Sequence, residues 1–209
     1  MVGRIRQNAE VVGRRMAPIS DCRPNLIVAF VADGRAYLRA MAREQSLVFS
    51  ELNPTERKVL LEEPGPVHVA TRVVTRTRDG APVLRERNLV DVPQANMWMA
   101  HSKIYVATQQ NIIHALILID RDAVRGIGIY QLADYATMRA LVHHAPTARY
   151  TGGNSILDLF EAPANARPTG LTDYDHAVLG ALYKGLPNLP ASVQIAAIER
   201  ATGRPFPRE

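Results

Sequence analysis

Cysteine is almost missing from this chain: Cys22 is the only one, which excludes an intrachain disulfide and any zinc cage built from thiolates. At 209 residues the chain needs neither, because a domain of this length buries enough apolar surface to fold without staples. Cys22 as a nucleophile would require a neighbouring base, and the nearest histidine in sequence is His68. Long hydrophobic runs are also absent. None approaches the roughly 20 residues of a membrane span, and the first residues lack the apolar core of a signal peptide. Aromatics make up only 6% of the residues, and none interleaves with the arginines near the start, so there is no stacking platform for a single-stranded nucleic acid. Internal repeats and low-complexity linkers are lacking as well, which favours one domain over two.

What is present is ordinary for a globular protein: 47% hydrophobic and 22% charged residues. The net charge of +5 comes from 25 basic against 20 acidic side chains, and only three of the basic residues are lysines. Arg4, Arg6, Arg14 and Arg15 concentrate positive charge near the start, where they form either a solvated helix face or a patch for an anionic surface or polymer. Nucleic acid is the least supported of the possible partners.

Periodicity divides the chain into an α+β pattern. Residues 3–16 read as a helix with Ile5, Ala9, Val12 and Met16 on one face. Asn25 to Val31 has the length of a strand, and Asp33-Gly34 opens a helix with Ala36, Tyr37, Ala40 and Met41 inward. Asn53-Pro54 with Glu56 starts another helix, which stops near Pro64. Val67 to Thr77 alternates as a half-buried strand; Asp79-Gly80 turns it toward a returning strand, Val83 to Val90. Lys103 to Ala107 and Ile112 to Ile119 read as an antiparallel pair joined by a turn at Thr108 to Asn111, and the second run is apolar enough to be central in its sheet. The period becomes helical from Ile129 to His144, with Ile129, Leu132, Ala133, Ala136 and Ala140 inward, until Gly152-Gly153. Short helices are expected at Ser155 to Phe160, Thr172 to Lys184 and Ala191 to Thr202. The expected whole is one α+β domain over 1–209, with a helix/strand/helix part at 1–66 and hairpins plus helices at 67–209. Its sheet would be mixed or antiparallel.

Few residues carry a chemical motif. Gly126-Ile127-Gly128 precedes a helix, but the third glycine of a dinucleotide fingerprint falls on Gln131, so a tight turn fits better. His143 and His144 are adjacent and cannot grip a metal from one helix face; they suit a helix C-terminus. His114 alternates with apolar neighbours in its strand, while His68 and His101 lie in no motif. Asp173, Asp175 and His176 follow Thr172 at a helix start, where carboxylates cap, and Ser155 lacks the Gly-x-Ser-x-Gly elbow and reads as another cap. Gln131, Asp134 and Tyr135 form either a polar patch on an amphipathic helix, with Asp134 paired to Arg139 or a backbone donor, or the lining of a cleft.

The order of elements over 112–184 resembles the catalytic half of zincin metallopeptidases, the metzincin branch above all. An apolar strand, Ile112 to Ile119, precedes the long helix Ile129 to His144. Asn154-Ser155-Ile156-Leu157 is similar to a Met-turn with leucine for methionine, and Leu171-Thr172, Asp175 and Leu182-Tyr183 are similar to the last matrixin helix. Zincins place His-Glu-x-x-His on the long helix so that two imidazoles hold zinc and the glutamate activates its water. Here Gln131, Leu132 and Tyr135 occupy those positions, and Met138 and Leu141 stand at the remaining motif glycine and third histidine. The Cys22-Arg23-Pro24-Asn25 stretch and the Gln131 to Met138 helix resemble uncharacterised bacterial secreted or periplasmic proteins with a zincin-like scaffold and no metal motif. That resemblance implies export, with which a leaderless Met1-Val2-Gly3 running into a helix accords. It also implies no metal or other cofactor, and a degenerate cleft for an unidentified protein or small ligand, lined by Gln131, Asp134, Tyr135, His114 and Asp175. A rival from another class is a metal-independent hydrolase using Asp134 with Tyr135 or His114 as acid and base.

Overall fold

β3 (Thr108–Asp120) is the centre of the molecule because its two faces are both apolar. Successive side chains alternate sides, so Ala115, Ile117 and Ile119 enter one core while Leu116 and Leu118 enter the other. β1 (Leu26–Val31) pairs with it in parallel and β2 (Val67–Thr77) antiparallel, giving a three-stranded mixed sheet of order β1-β3-β2. A computed structural model describes residues 1–18, 20–21, 23–44, 49, 52, 54–77, 108–142, 155–185 and 191–204 of the chain.

Helices cover the two faces. On one side lie α2 (Gly34–Arg43) and α3 (Pro54–Glu62), which bring Leu38 and Leu60 against Ala70, Leu116 and Leu118. On the other lies α4 (Ile129–Leu141), which packs on β3 and carries α1 (Val2–Val11) and a 3-10 turn (Ile156–Phe160) on its outer surfaces. A short 3-10 turn at Ala164–Ala166 leads toward α5 (Asp173–Tyr183), against which α6 (Ala191–Thr202) packs. The architecture is therefore α+β, as the periodicity leads one to expect.

Several readings change. Thr108 to Asn111 is not a turn: these residues extend β3 and pair with Val74 to Thr77 of β2. A polar tetrapeptide extends the strand here because β2 offers a backbone ladder along its whole length, with a bulge between Arg72 and Val73 to adjust the register. In α2 the buried residue is Leu38, with no exposed surface; Ala40 and Met41 are partly buried, whereas Ala36 and Tyr37 are exposed. At the start of α4, Ile129 faces out, 45% exposed, as does Tyr130 beside it. Both α1 and α4 also end sooner than their apolar periodicity suggests, at Val11 and Leu141. The readings that involve Cys22, Asn53, the Asp79-Gly80 hairpin with Val83 to Val90, His101, Lys103 to Ala107, His143, His144 and Gly152 to Asn154 fall outside the described residues.

Candidate functional site on the central helix

α4 begins after a run of turns at residues 121–126 in which Gly126 takes φ 84°, a left-handed conformation that suits glycine. The Gln131 side chain folds back to close the helix start: its Oε1 accepts from the Gly128 N–H at 2.9 Å, and its Nε2 donates to the Pro168 carbonyl at 2.8 Å. Gln131 is half-buried and joins the helix to the segment leading into α5. From Leu132 to Met138 every residue is buried, which is unusual for a helix and follows from its having neighbours on nearly every side.

Asp134 is fully buried and meets four donors. Arg4 grips it with two bonds, Nε to Oδ1 at 2.8 Å and Nη2 to Oδ2 at 3.0 Å. Asn8, one turn further along α1, donates to Oδ1 at 2.6 Å and to Thr137 Oγ1 at 3.1 Å. The Leu171 N–H reaches Oδ2 at 3.2 Å. Gly170 fits beside this carboxylate because a Cβ there would lie 3.0 Å from Oδ2. Burial alone pushes the Asp134 carboxyl upward, but the Arg4 and Asn8 bonds, the Leu171 N–H and the Arg4 charge outweigh it and hold the pKa below the ordinary 3.8. The charged partner is thus Arg4 and not Arg139, and the backbone donor is the Leu171 N–H.

A depressed carboxyl stabilises the fold above its unfolded-state pKa, and that contribution disappears as pH falls through the lower folded value. The stability difference between the native chain and Asp134→Asn is therefore expected to be full at neutral pH and to shrink only once the pH drops below about 4. Urea titrations of both chains at a series of pH values check this; a difference already fading at pH 6 contradicts it.

Tyr135 points elsewhere, edge-on to Phe160 with ring centroids 5.0 Å apart. Its hydroxyl accepts from Arg139 Nη1 at 3.1 Å, and Arg139 Nη2 meets Glu63 Oε1 at 2.5 Å. Burial raises the Tyr135 pKa despite the guanidinium, so the phenol stays protonated. This buried tyrosine, arginine and glutamate tie α4 to the segment just after α3.

Asp175 is also without exposed surface. Ser155 Oγ donates to its Oδ1 at 2.6 Å, while Oδ2 receives the Ile156 N–H at 2.8 Å, the Thr172 N–H at 2.9 Å and Thr172 Oγ1 at 3.0 Å. Thr172 caps α5 by accepting from the Asp175 N–H at 3.2 Å, and Ser155 caps the 3-10 turn by accepting from the Leu157 N–H. The local capping read from the sequence is there, together with a link across 20 residues that no local pattern announces.

His114 is half-buried in β3, opposite Arg72 of β2, and its Nδ1 has no hydrogen-bond partner. Among the described residues no hydrogen bond joins any two of Asp134, Tyr135 and His114. Nor do the described residues contain a cluster of three His, Cys, Asp or Glu that could hold a metal ion. Of the four early arginines, Arg4 is bound to Asp134 and the Arg14 guanidinium lies 5.1 Å from the centre of the Tyr183 ring.

A second polar cluster joins β2, the end of β3 and the start of α2. His68, 1% exposed, places Nε2 at 3.5 Å from Asp120 Oδ2, and Asp120 Oδ1 accepts the Gly34 N–H at 2.5 Å where α2 begins. A Cβ on Gly34 would come within 2.6 Å of His68 Cδ2, so glycine is required for α2 to sit this close. The available signal was positional: Asp33 and Asp120 both stand at the carboxyl ends of parallel strands, where open α/β sheets converge their polar groups.

No described helix is long and apolar enough to cross a membrane. Comparison with known proteins returns no match: no family model, no curated protein and no solved structure is significantly similar to this chain.

Proposed function

We propose that this chain is a non-catalytic binding domain with a zincin-like scaffold, exported from a bacterial cell, that takes a protein or small ligand at the exposed first turn of α4, beside Gln131. The observation that carries the non-catalytic part is the state of Asp134. A general acid or base must exchange a proton with substrate, yet both oxygens of this buried carboxylate already accept bonds from Arg4, Asn8 and Leu171. Its neighbour Tyr135 is turned into the core against Phe160. The positions at which zincins carry metal ligands and base hold Gln131, Leu132 and Tyr135, and Gln131 is occupied in closing the helix start. Binding is favoured by Ile129 and Tyr130, 45% and 66% exposed on the first turn of the same helix, which offer an apolar contact beside Gln131. Export rests on the sequence resemblance alone.

The test is twofold. The purified chain is dialysed against zinc and its metal content measured, and it is then assayed on peptide, ester and glycan substrates beside Asp134→Asn. Less than a tenth of an equivalent of bound zinc, with no turnover distinguishing the two chains, is the expected result. One zinc per chain, or hydrolysis that the substitution abolishes while circular dichroism stays native, would overturn the reading.

A further inference from the structure

α1 has little to hold it as a helix on its own. It is ten residues long, has Gly3 in its first turn, carries neither a side-chain cap nor an acidic residue at its N-terminus, and is followed by Gly13 at φ 76°. Helices this short do not persist in water without tertiary packing. Its order comes from the seat that α4 provides. Ile5, Ala9 and Val12 are buried, and Arg4 and Asn8 converge on Asp134 and Thr137.

That seat is chemically specific. A buried carboxylate beside a threonine hydroxyl requires a guanidinium and an amide one helical turn apart, each followed by an apolar residue, which Arg4-Ile5 and Asn8-Ala9 supply. Charge favours the same occupant, since residues 1–16 contain four arginines against one glutamate while the seat is anionic. Between α1 and β1 the described residues of 13–25 contain neither helix nor strand. A connector of this length spans about 40 Å when extended, enough to carry α1 to a neighbouring molecule.

We infer that the α4 face beneath α1 is an exchangeable helix seat, and that the α1 segment of a second copy of this chain takes the place of the first. This rests on reading α4 as a surface that binds and does not catalyse. Release of α1 exposes Asp134 to water, where a carboxylate is readily solvated, which lowers the cost of the open form. Exchange between copies then joins them through identical contacts, with no new interface chemistry needed.

The experiment uses the full chain and a fluorescent synthetic peptide of residues 1–16, with binding read by anisotropy. A chain bearing Arg4→Ala and Asn8→Ala, whose own α1 is loosened, should bind the peptide at least roughly tenfold more tightly than the unmodified chain, because its seat is open more of the time. A peptide carrying the same two substitutions should not bind. Hydrogen exchange on the unmodified chain should show α1 amides opening independently of those in α4. A double variant that retains α4 protection yet ignores the peptide overturns the inference, as does α1 opening only together with α4. If the double variant loses α4 protection, Arg4→Gln alone is used with the same criteria. Zinc uptake or hydrolysis in the preceding assays would sink the functional reading without moving the anisotropy, so the two failures are distinguishable.

Discussion

Replacing Asp175 by alanine is expected to lower the free energy of unfolding by about 3–5 kcal/mol, the largest loss from any single side chain described above. Its carboxylate receives two backbone N–H groups and two hydroxyls, each bond charge-assisted. Alanine would leave the Ile156 and Thr172 N–H groups and the Ser155 hydroxyl inside the protein without an acceptor, and buried orphan donors cost more than the bonds themselves contribute. Asn is expected to recover about half of the loss, because one oxygen remains while an amide N–H₂ is turned toward donors. Urea unfolding measures both; an alanine variant within about 1 kcal/mol of the native chain would show that water replaces the carboxylate without penalty.

Asp134→Ala should cost somewhat less, about 3 kcal/mol, although more elements meet at this residue. Removing one member of a buried pair is damaging because the other charge is stranded, but the Arg4 side chain is 33% exposed and can turn to water. The damage should be local. α1 loses the partner that fixes Arg4 and Asn8, and the chain near Leu171 loses its N–H acceptor. In a double-mutant cycle with Arg4→Ala, the coupling between the two residues should be about 1–3 kcal/mol, and additive effects would mean that the ion pair contributes nothing beyond packing.

How legible all this was in the sequence depended on whether the cause was local. β1, β2 and the last helix are set by periodicity and punctuation, and their boundaries were readable: Val67 to Thr77 and Ala191 to Thr202 coincide with the observed elements. The caps Ser155 and Thr172 were equally readable, since a hydroxyl next to a helix start acts within three residues. Thr108 to Asn111 was misread because polar residues in a row look like a turn unless the strand opposite is known. In α2, Leu38 and Tyr37 compete for the inward position, and the choice depends on where the sheet lies. At the candidate site, Gln131, Asp134 and Tyr135 were correctly grouped on one helix but not by direction. Asp134 looks toward α1 and Tyr135 toward Phe160, because the helix is surrounded and each residue meets a different neighbour. Arg4 is 130 residues from Asp134, and Glu63 is 76 from Arg139; no short-range pattern encodes pairs at such separations.

A ribbon that is greasy on both sides has no preference for which side is which. Sliding β3 by one residue against β1 or β2 would exchange the Ala115, Ile117 and Ile119 face for the Leu116 and Leu118 face, hydrocarbon for hydrocarbon. The alignment must therefore be pinned by something that tolerates only one position. Asp120 does this at the end of the strand: its N–H donates to the Pro66 carbonyl, and its carboxylate meets the Gly34 N–H and approaches His68. A polar residue just past the last isoleucine thus serves as the vernier mark from which the alignment of the whole sandwich is read.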